Sequence, residues 1–425
     1  MDSATGRLKR LNGYAPAIAV IVAVLAGFFA AAALGPGDPP VTTDRAAVER
    51  QVERAGPVGS VQADQYRSQS RRIAIAALLV EFSVLAFFAF YRGRPVRSLI
   101  DRVAARPVRG AAALGGLLAI ALALVGLPLS LLSFDLGRDY GLVTQNLGPW
   151  LGDQLLSTAI SIVVSMTLAA VGYAAWRRFR GRFWIAASVL ATAFAVVWIW
   201  LWPVAVAPLF NDFEPLPPGQ SRAEVMRLAD RAGVEVREVY SVDASRRSVA
   251  LNAYVNGIGP SKRVVIYDNS LDQLPPDELS ALIAHELIHV EAGDVYRGLG
   301  FALIVIPFGA LAMQLFTGAA LRRSGDRRDS PAAVLPLALA LAAMTLLLTV
   351  PGNGLSRQIE INADYRSVEL TGDPAALVGL QRRLAASNLS DPDPPAVWKF
   401  LFGTHPSTLD RLALAEGMRQ EGGGG

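Results

Sequence analysis

His285 and His289 stand four residues apart in the segment HELIH, with Glu286 between them. On a helix this spacing points both imidazoles from one face, where they can hold a single zinc ion, and sets the carboxylate beside the same pocket. A zinc ion held in this way polarises a carbonyl and acidifies water, while the glutamate takes up the proton and returns it to a leaving amine. Histidine is scarce, three in 425 residues. From composition alone the H-E-x-x-H pattern arises by chance in roughly one such chain in a thousand. The bland alternative is a helix with two solvated or core histidines.

Two histidines leave a tetrahedral zinc short of ligands, and a catalytic site takes a third protein donor while leaving one position for water. The chain contains no cysteine, which removes thiolate ligands, disulfides and thiol catalysis together. Carboxylates are therefore the candidates. The segment SRQIEINAD carries Glu360 and Asp364 one helical turn apart on one face. Glu360 is the expected third ligand. Asp364 is expected to take the N–H of a ligating imidazole, that of His285, and so fix its tautomer. Without HELIH the same pair would read as an ordinary solvated face with Arg357 as its charge partner.

The elements that must position these groups can be read locally. Pro275-Pro276-Asp277-Glu278 opens a helix, because proline presets φ and acids complement the positive helix end, and Gly293 can close it after Ala292. Upstream, a helical pattern at 222–232 is followed by strand-like stretches at 234–242, 249–255 and 263–267, with turn formers Asn256-Gly257 and Gly259-Pro260. Downstream, helices are expected at 356–370, 375–386 and 406–416, with a Pro- and Asp-rich loop at 391–395.

Composition supplies the setting. Hydrophobic residues make up 52% of the chain and charged residues 18%, too apolar for an ordinary soluble protein of this size. The apolar residues form seven runs of membrane-spanning length, at 14–34, 73–91, 111–134, 155–176, 183–209, 300–321 and 332–350. Arg7, Lys9 and Arg10 precede the first run in the manner of a signal peptide, and Ala31-Ala32-Ala33 leaves cleavage open. Its length favours a retained anchor. Glu81 lies inside the second run, where an ionisable group faces a partner or a water-filled cavity. The net charge of +4 is concentrated at helix ends and suits membrane topology rather than nucleic acid.

The fold expected is mainly α, a multi-span membrane protein of about seven transmembrane helices. A small α+β zincin-like metalloprotease domain is built from the loop after span five and the C-terminal region. In these terms residues 1–209 hold spans one to five, and 210–299 the sheet and the HELIH helix. Residues 300–350 hold spans six and seven, 351–418 the third ligand and last helices, and 419–425 a disordered tail.

HELIH followed, after two apolar helices, by an E-x-x-x-D helix resembles the membrane zinc peptidases that include the type I CAAX prenyl protease. PLFNDFEPL, LNAYVNGIG, SRQIEINAD and HPSTLDR carry the resemblance further. It implies a zinc-dependent endopeptidase with one zinc ion per chain, acting on peptides or membrane proteins, lipidated ones included. It also implies that Asn252, Ala253 and Tyr254 form an edge strand pairing with the substrate backbone. By the same resemblance, His405 donates to the oxyanion, and Arg411 braces the site or binds a substrate carboxylate. The alternatives are a quality-control protease of broader specificity and a non-catalytic zinc-containing scaffold, whose site would be closed by a fourth protein ligand such as His405.

Arginine is unevenly shared among the loops. Arg92, Arg94, Arg97, Arg102, Arg106 and Arg109 follow span two, Arg177, Arg178, Arg180 and Arg182 follow span four, and Arg322, Arg323, Arg327 and Arg328 follow span six. The positive-inside rule puts these loops and the N-terminus in the cytoplasm and HELIH outside. The segment after span one dissents, with Arg45, Arg50, Arg54, Arg67, Arg71 and Arg72. The eukaryotic members of the family, which present this domain to the cytosol, also argue the other way. Basic residues that are nearly all arginine, with abundant Ala, Gly, Val and Pro, suggest a GC-rich bacterial gene and a bacterial cell membrane.

Overall fold

The computed structural model describes residues 2–41, 45, 46, 49, 50, 61–256 and 262–422. The turn formers Gly257, Gly259 and Pro260 and the last three glycines lie outside the described residues. Six helical stretches among the described residues are long and apolar enough to cross a membrane. The fourth of them, Leu147–Leu209, covers 63 residues, far more than one crossing needs. It is interrupted at Arg180–Arg182, where Arg180 takes a φ of 42°. The seven apolar runs of the sequence thus correspond to seven helices of the chain.

These are α1 (Asp2–Leu34), α2 (Val61–Phe90), α4 (Pro107–Asp139), α5 (Leu147–Phe179), α6 (Phe183–Leu201), α10 (Asp294–Ser324) and α11 (Val334–Thr371). A short helix, α3 (Arg94–Ala104), follows α2. It buries Val96 and Ile100 and turns its arginines outward. α1 packs along α10 and α11, α2 on α4 and α11, α4 on α5, and α6 on α10. Gly27 lets α1 approach closely, since a Cβ there would come within 2.7 Å of Pro351 Cγ.

Two membrane helices differ from expectation in a way that matters for the site. The seventh span and the helix at 356–370 are one continuous helix, α11, which passes through Pro351. The sixth begins at Asp294 rather than near Gly300, immediately after Gly293 in the left-handed conformation with φ 69°. Both helices therefore run without interruption from the membrane region into the HELIH neighbourhood.

The remaining elements form a small α+β unit. Strands β1 (Phe213–Pro215), β2 (Glu238–Val242), β3 (Ala253–Asn256) and β4 (Arg263–Tyr267) make one sheet in the order β1-β2-β4-β3. β2 and β4 are parallel, and the two outer pairings are antiparallel. The helices are α7 (Gln220–Ala232), α8 (Asp268–Gln273), α9 (Pro276–Glu291), α12 (Pro374–Ser387), α13 (Ala396–Phe402) and α14 (Thr408–Gly422). The last is longer than expected, so Arg419–Gly422 are helical rather than part of a disordered tail. The core joins Val225 and Leu228 of α7, Val264 and Ile266 of β4, Ile283 and Leu287 of α9 and Leu377 and Leu380 of α12. Burying each such side chain contributes about 1.5–3 kcal/mol, which ties α9 to the sheet on one side and to α12 on the other.

The membrane half is fastened to this unit. Arg247 of the α+β unit pairs with Asp153 of α5 at 2.9 Å, and Thr144 Oγ1 donates to Ser245 O at 2.7 Å. The helices alternate in direction, so the arginine-bearing segments 92–109, 177–182 and 322–328 gather at the end opposite HELIH. Arg92 pairs with Asp326 (2.7 Å) and Trp176 Nε1 donates to Arg328 O (2.9 Å). Among the described residues, three of the six dissenting arginines after α1 are engaged at the HELIH end, among them Arg71 with Asp391, and Arg45 with Asp393 (2.6 Å) and Asp410 (2.7 Å). Arg67 donates to Leu389 O and Asn388 O.

Candidate metal centre

α9 begins at Pro276 with acids in its first turn, so HELIH occupies its last two turns, before Gly293. His285 is 5% exposed, while Glu286 and His289 are half-buried at the rim of a cleft. α11 crosses this face and brings up Glu360. Glu360 Oε2 lies 3.3 Å from His285 Nε2, and Oε1 lies 3.7 Å from His289 Nε2. The three donors lie within 4.8 Å of one another.

Each imidazole also meets a carboxylate through its other nitrogen. His285 Nδ1 is 3.0 Å from Asp364 Oδ1, and His289 Nδ1 is 2.9 Å from Asp294 Oδ2. The His289 contact is a hydrogen bond, whereas His285 Nδ1 meets Asp364 at close range without hydrogen-bond alignment; a proton on each Nδ1 suits those carboxylates and leaves both Nε2 atoms as lone pairs. The two Nε2 atoms are only 3.1 Å apart. Facing lone pairs at that distance repel unless a cation lies between them, and Glu360 Oε2 is buried without a hydrogen-bond partner. Imidazole nitrogens on a tetrahedral zinc stand about 3.3 Å apart. Donor types, spacing and the orphaned oxygen all fit zinc. The electrostatics agree in sign: burial works against positive charge at His285, but Asp364 and Glu360 favour it there. The pocket is built to hold positive charge.

Asp364 is wholly buried and is itself held by Arg411, whose Nε and Nη2 reach its two oxygens at 2.6 and 2.5 Å. The Gln381 amide oxygen, in the orientation that satisfies both groups, accepts from Arg411 at 3.1 and 3.2 Å. The Arg411 guanidinium is thus occupied inside the protein rather than open to a substrate carboxylate. His405 sits across the cleft, with Nε2 3.4 Å from Glu360 Oε1 and Nδ1 2.8 Å from Thr404 Oγ1. Desolvation in the cleft and then Arg411 push its pKa down, although its side chain is 59% exposed. Burial likewise raises the pKa of Glu286.

β3 is an edge strand of the sheet. Tyr267 N donates to Asn252 O at 3.0 Å. By the alternation of an antiparallel ladder, Asn252 and Tyr254 direct their main-chain groups to β4, while Ala253 and Val255 direct theirs to the open edge. Of the three residues expected there, only Ala253 directs its main-chain groups away from β4, as Val255 also does; Ala253 is 2% exposed and Val255 part-buried. Asn252 is exposed, and Tyr254 stands edge-on to Tyr267 with ring centroids 6.5 Å apart.

Residues 215–419 match the pattern of Peptidase family M48, and residues 61–212 match that of the CAAX prenyl protease N-terminal region of five membrane helices. The chain is 33% identical over 298 residues to the uncharacterized metalloprotease YhfN of Bacillus subtilis (strain 168), an overlap of 69% of this chain and 70% of that protein. It belongs to peptidase family M48. The M48 chain is also 28% identical to a CAAX prenyl protease 1 homolog of Arabidopsis thaliana, over 68% of this chain and 70% of that one. Its fold is that of the S. mikatae Ste24p crystal structure, with a TM-score of 0.69, 19% identity and coverage of 95% of this chain and 99% of that chain. This M48 protein is accordingly a multi-pass membrane zinc metallopeptidase.

Sequence reasoning missed two residues of the M48 site. Asp294 partners His289, and Arg297 Nε lies 3.2 Å from Asp294 Oδ1 while its Nη1 donates to Leu34 O of α1 at 2.9 Å. The available signal was an acid placed directly after the helix-closing Gly293. Thr404 was also missed; its only signal is adjacency to His405.

Proposed function

We propose that this chain is an endopeptidase that hydrolyses extended peptide segments laid along the free edge of β3. The observation that carries this reading is the pair of His285 and His289 Nε2 atoms, 3.1 Å apart beside the Glu360 carboxylate, with Glu286 on the same helix. His285, His289 and Glu360 would hold a zinc ion, which when bound would supply Lewis acidity and make a water more acidic. Glu286 acts as general base, taking a proton from water and returning it to the leaving amine. Main-chain groups of Ala253 and Val255 hydrogen-bond the substrate backbone, which gives affinity with little sequence demand. Asn252 and Tyr254 flank the bound segment with their side chains.

His405 donates from Nε2 to the oxyanion as the carbonyl carbon becomes tetrahedral. Asp364 fixes the tautomer of His285, and Arg411 fixes Asp364. We divide the chain into membrane helices at 1–209 and 300–350 and a two-part peptidase domain at 210–299 and 351–418.

The proposed orientation puts the metal centre outside the cytoplasm. Three arginine-rich segments at the opposite end support it, and the dissenting Arg45, Arg67 and Arg71 are engaged by carboxylates and carbonyls, which explains them without topology. Relatives carry the name CAAX prenyl protease 1. An outward site in a bacterial cell membrane would instead meet membrane-associated peptides and misfolded membrane proteins. Purified protein incubated with fluorogenic peptides tests the activity: cleavage should disappear with a chelator and return with added zinc. Cleavage that survives complete zinc removal would end the proposal. Separately, a C-terminal reporter active only in the cytoplasm would overturn the orientation.

A further inference from the structure

At the end of the membrane helices opposite the metal centre, Arg177, Arg180 and Arg328 converge with Trp176 and Asp329 on a pocket of about 310 Å³. The floor is aromatic and rigid. Trp176 is 1% exposed, its indole donates to Arg328 O at 2.9 Å, and the Arg328 guanidinium lies 4.9 Å above its ring. Tyr173, one turn earlier and fully buried, donates to Asp329 O. These two bonds fasten the α10–α11 loop to α5, so arginines from two separate segments are held against one cavity.

The cavity sets three arginines against one carboxylate, that of Asp329, which also feels Arg177. The Asp329 carboxylate is taken by Arg327, at 3.1 and 3.2 Å. Among the described residues, none of Arg177, Arg180 and Arg328 has a carboxylate within 4.0 Å. Arg180 has φ 42° and ψ −109°, a conformation that a residue with a side chain adopts at a cost, although Gly181 is next to it. Strain is accepted here where it presents an arginine to the pocket. Guanidiniums sharing one cavity repel, and a phosphate among them converts that repulsion into charge-assisted, bidentate hydrogen bonds.

We infer that this pocket binds the phosphate headgroup of an anionic phospholipid. The lipid source follows from the surroundings. The pocket lies where α5 ends and α6 begins, the level at which Trp and Arg meet headgroups. Both helices leave apolar side chains exposed just beyond it, among them Val171 (41%), Ile185 (45%) and Val189 (65%). Acyl chains lie along these while the arginines take the phosphate. Basic pockets between membrane helices recognise anionic headgroups in this way. The inference is independent of the peptidase chemistry at the other end.

The test is native mass spectrometry of the full chain in detergent, titrated in turn with phosphatidylglycerol, phosphatidylcholine and inorganic phosphate. Phosphatidylglycerol should bind tightest. R177Q/R180Q/R328Q should weaken it about a hundredfold, at roughly 1 kcal/mol for each arginine. R94Q/R97Q/R102Q on α3, which removes the same charge from the same end, should change it by less than about threefold. Arg328→Lys keeps the charge but loses the planar fork, and should fall between parent and triple variant. Equal losses in the two triple variants would reduce the effect to diffuse surface charge and overturn the site. Binding of phosphatidylcholine as tight as that of phosphatidylglycerol, or displacement of the lipid by equimolar inorganic phosphate, would overturn the assignment to an anionic phospholipid.

Discussion

Asp294, the first residue of α10, holds its Oδ2 2.9 Å from Nδ1 of His289. A membrane helix thereby reaches the metal centre with its first side chain. The same is true of α11, whose last turns carry Glu360 and Asp364. Helix packing in the membrane region and metal geometry are therefore mechanically one system.

Asp294→Asn should weaken zinc binding about 10- to 100-fold, the usual effect of losing a carboxylate behind a ligating imidazole. Zinc competition against a chromophoric chelator measures this. An unchanged affinity would mean that the contact does not orient His289.

His405→Ala should lower kcat about 10²- to 10³-fold, the loss typical of one oxyanion donor, while zinc content stays at the parental level. Thr404 Oγ1 is 2.8 Å from His405 Nδ1, and by donating there it keeps the ring proton on Nε2, so Thr404→Val should show a smaller loss in kcat. Zinc content falling together with activity in His405→Ala would instead make His405 a ligand and close the site to water.

What the sequence exposed and what it hid follow from physical range. HELIH and the Glu360–Asp364 pair are local helical spacings, and residue type plus period was enough to read them. Asp294 was hidden because the positive φ of Gly293 turns the chain between α9 and α10, so sequence distance from His289 no longer reports direction. The apolar run ends at 350 and the next helix is expected from 356, yet α11 continues across both and through Pro351. The missing amide costs a hydrogen bond, but the close packing of Gly27 against Pro351 holds the helix in place. Three-residue β1 and the short α13 had too little periodicity to register.

Gly27→Leu should separate α1 from α11, because a Cβ already meets Pro351 at 2.7 Å. Overpacking of this kind costs about 1–3 kcal/mol, visible as a lower melting temperature in detergent. A parental melting temperature would show that α1 is not fixed by this contact.

Asp410 gives a pH signature. Burial pushes its carboxyl pKa up, but Lys399 and the Ser407 side chain and amide outweigh burial and hold it below the usual carboxylate range. A depressed folded-state value means that the stabilisation is fully present above the unfolded pKa of about 3.9, and is lost as pH falls through the lower folded value. Asp410→Asn should therefore melt below the parent near neutral pH, by on the order of 1 kcal/mol given its partial exposure. The two melting curves should converge as the pH falls through the depressed folded-state value. A gap that persists unchanged at acid pH would rule out this linkage.

The most direct measurement is hydrolysis by Glu286→Gln alongside its zinc content. If His285, His289 and Glu360 hold the metal and Glu286 moves the proton, the variant should retain about one equivalent of zinc. Its peptide cleavage should fall at least about 10²-fold. Cleavage at the parental rate, with zinc in place, would contradict the account at its centre.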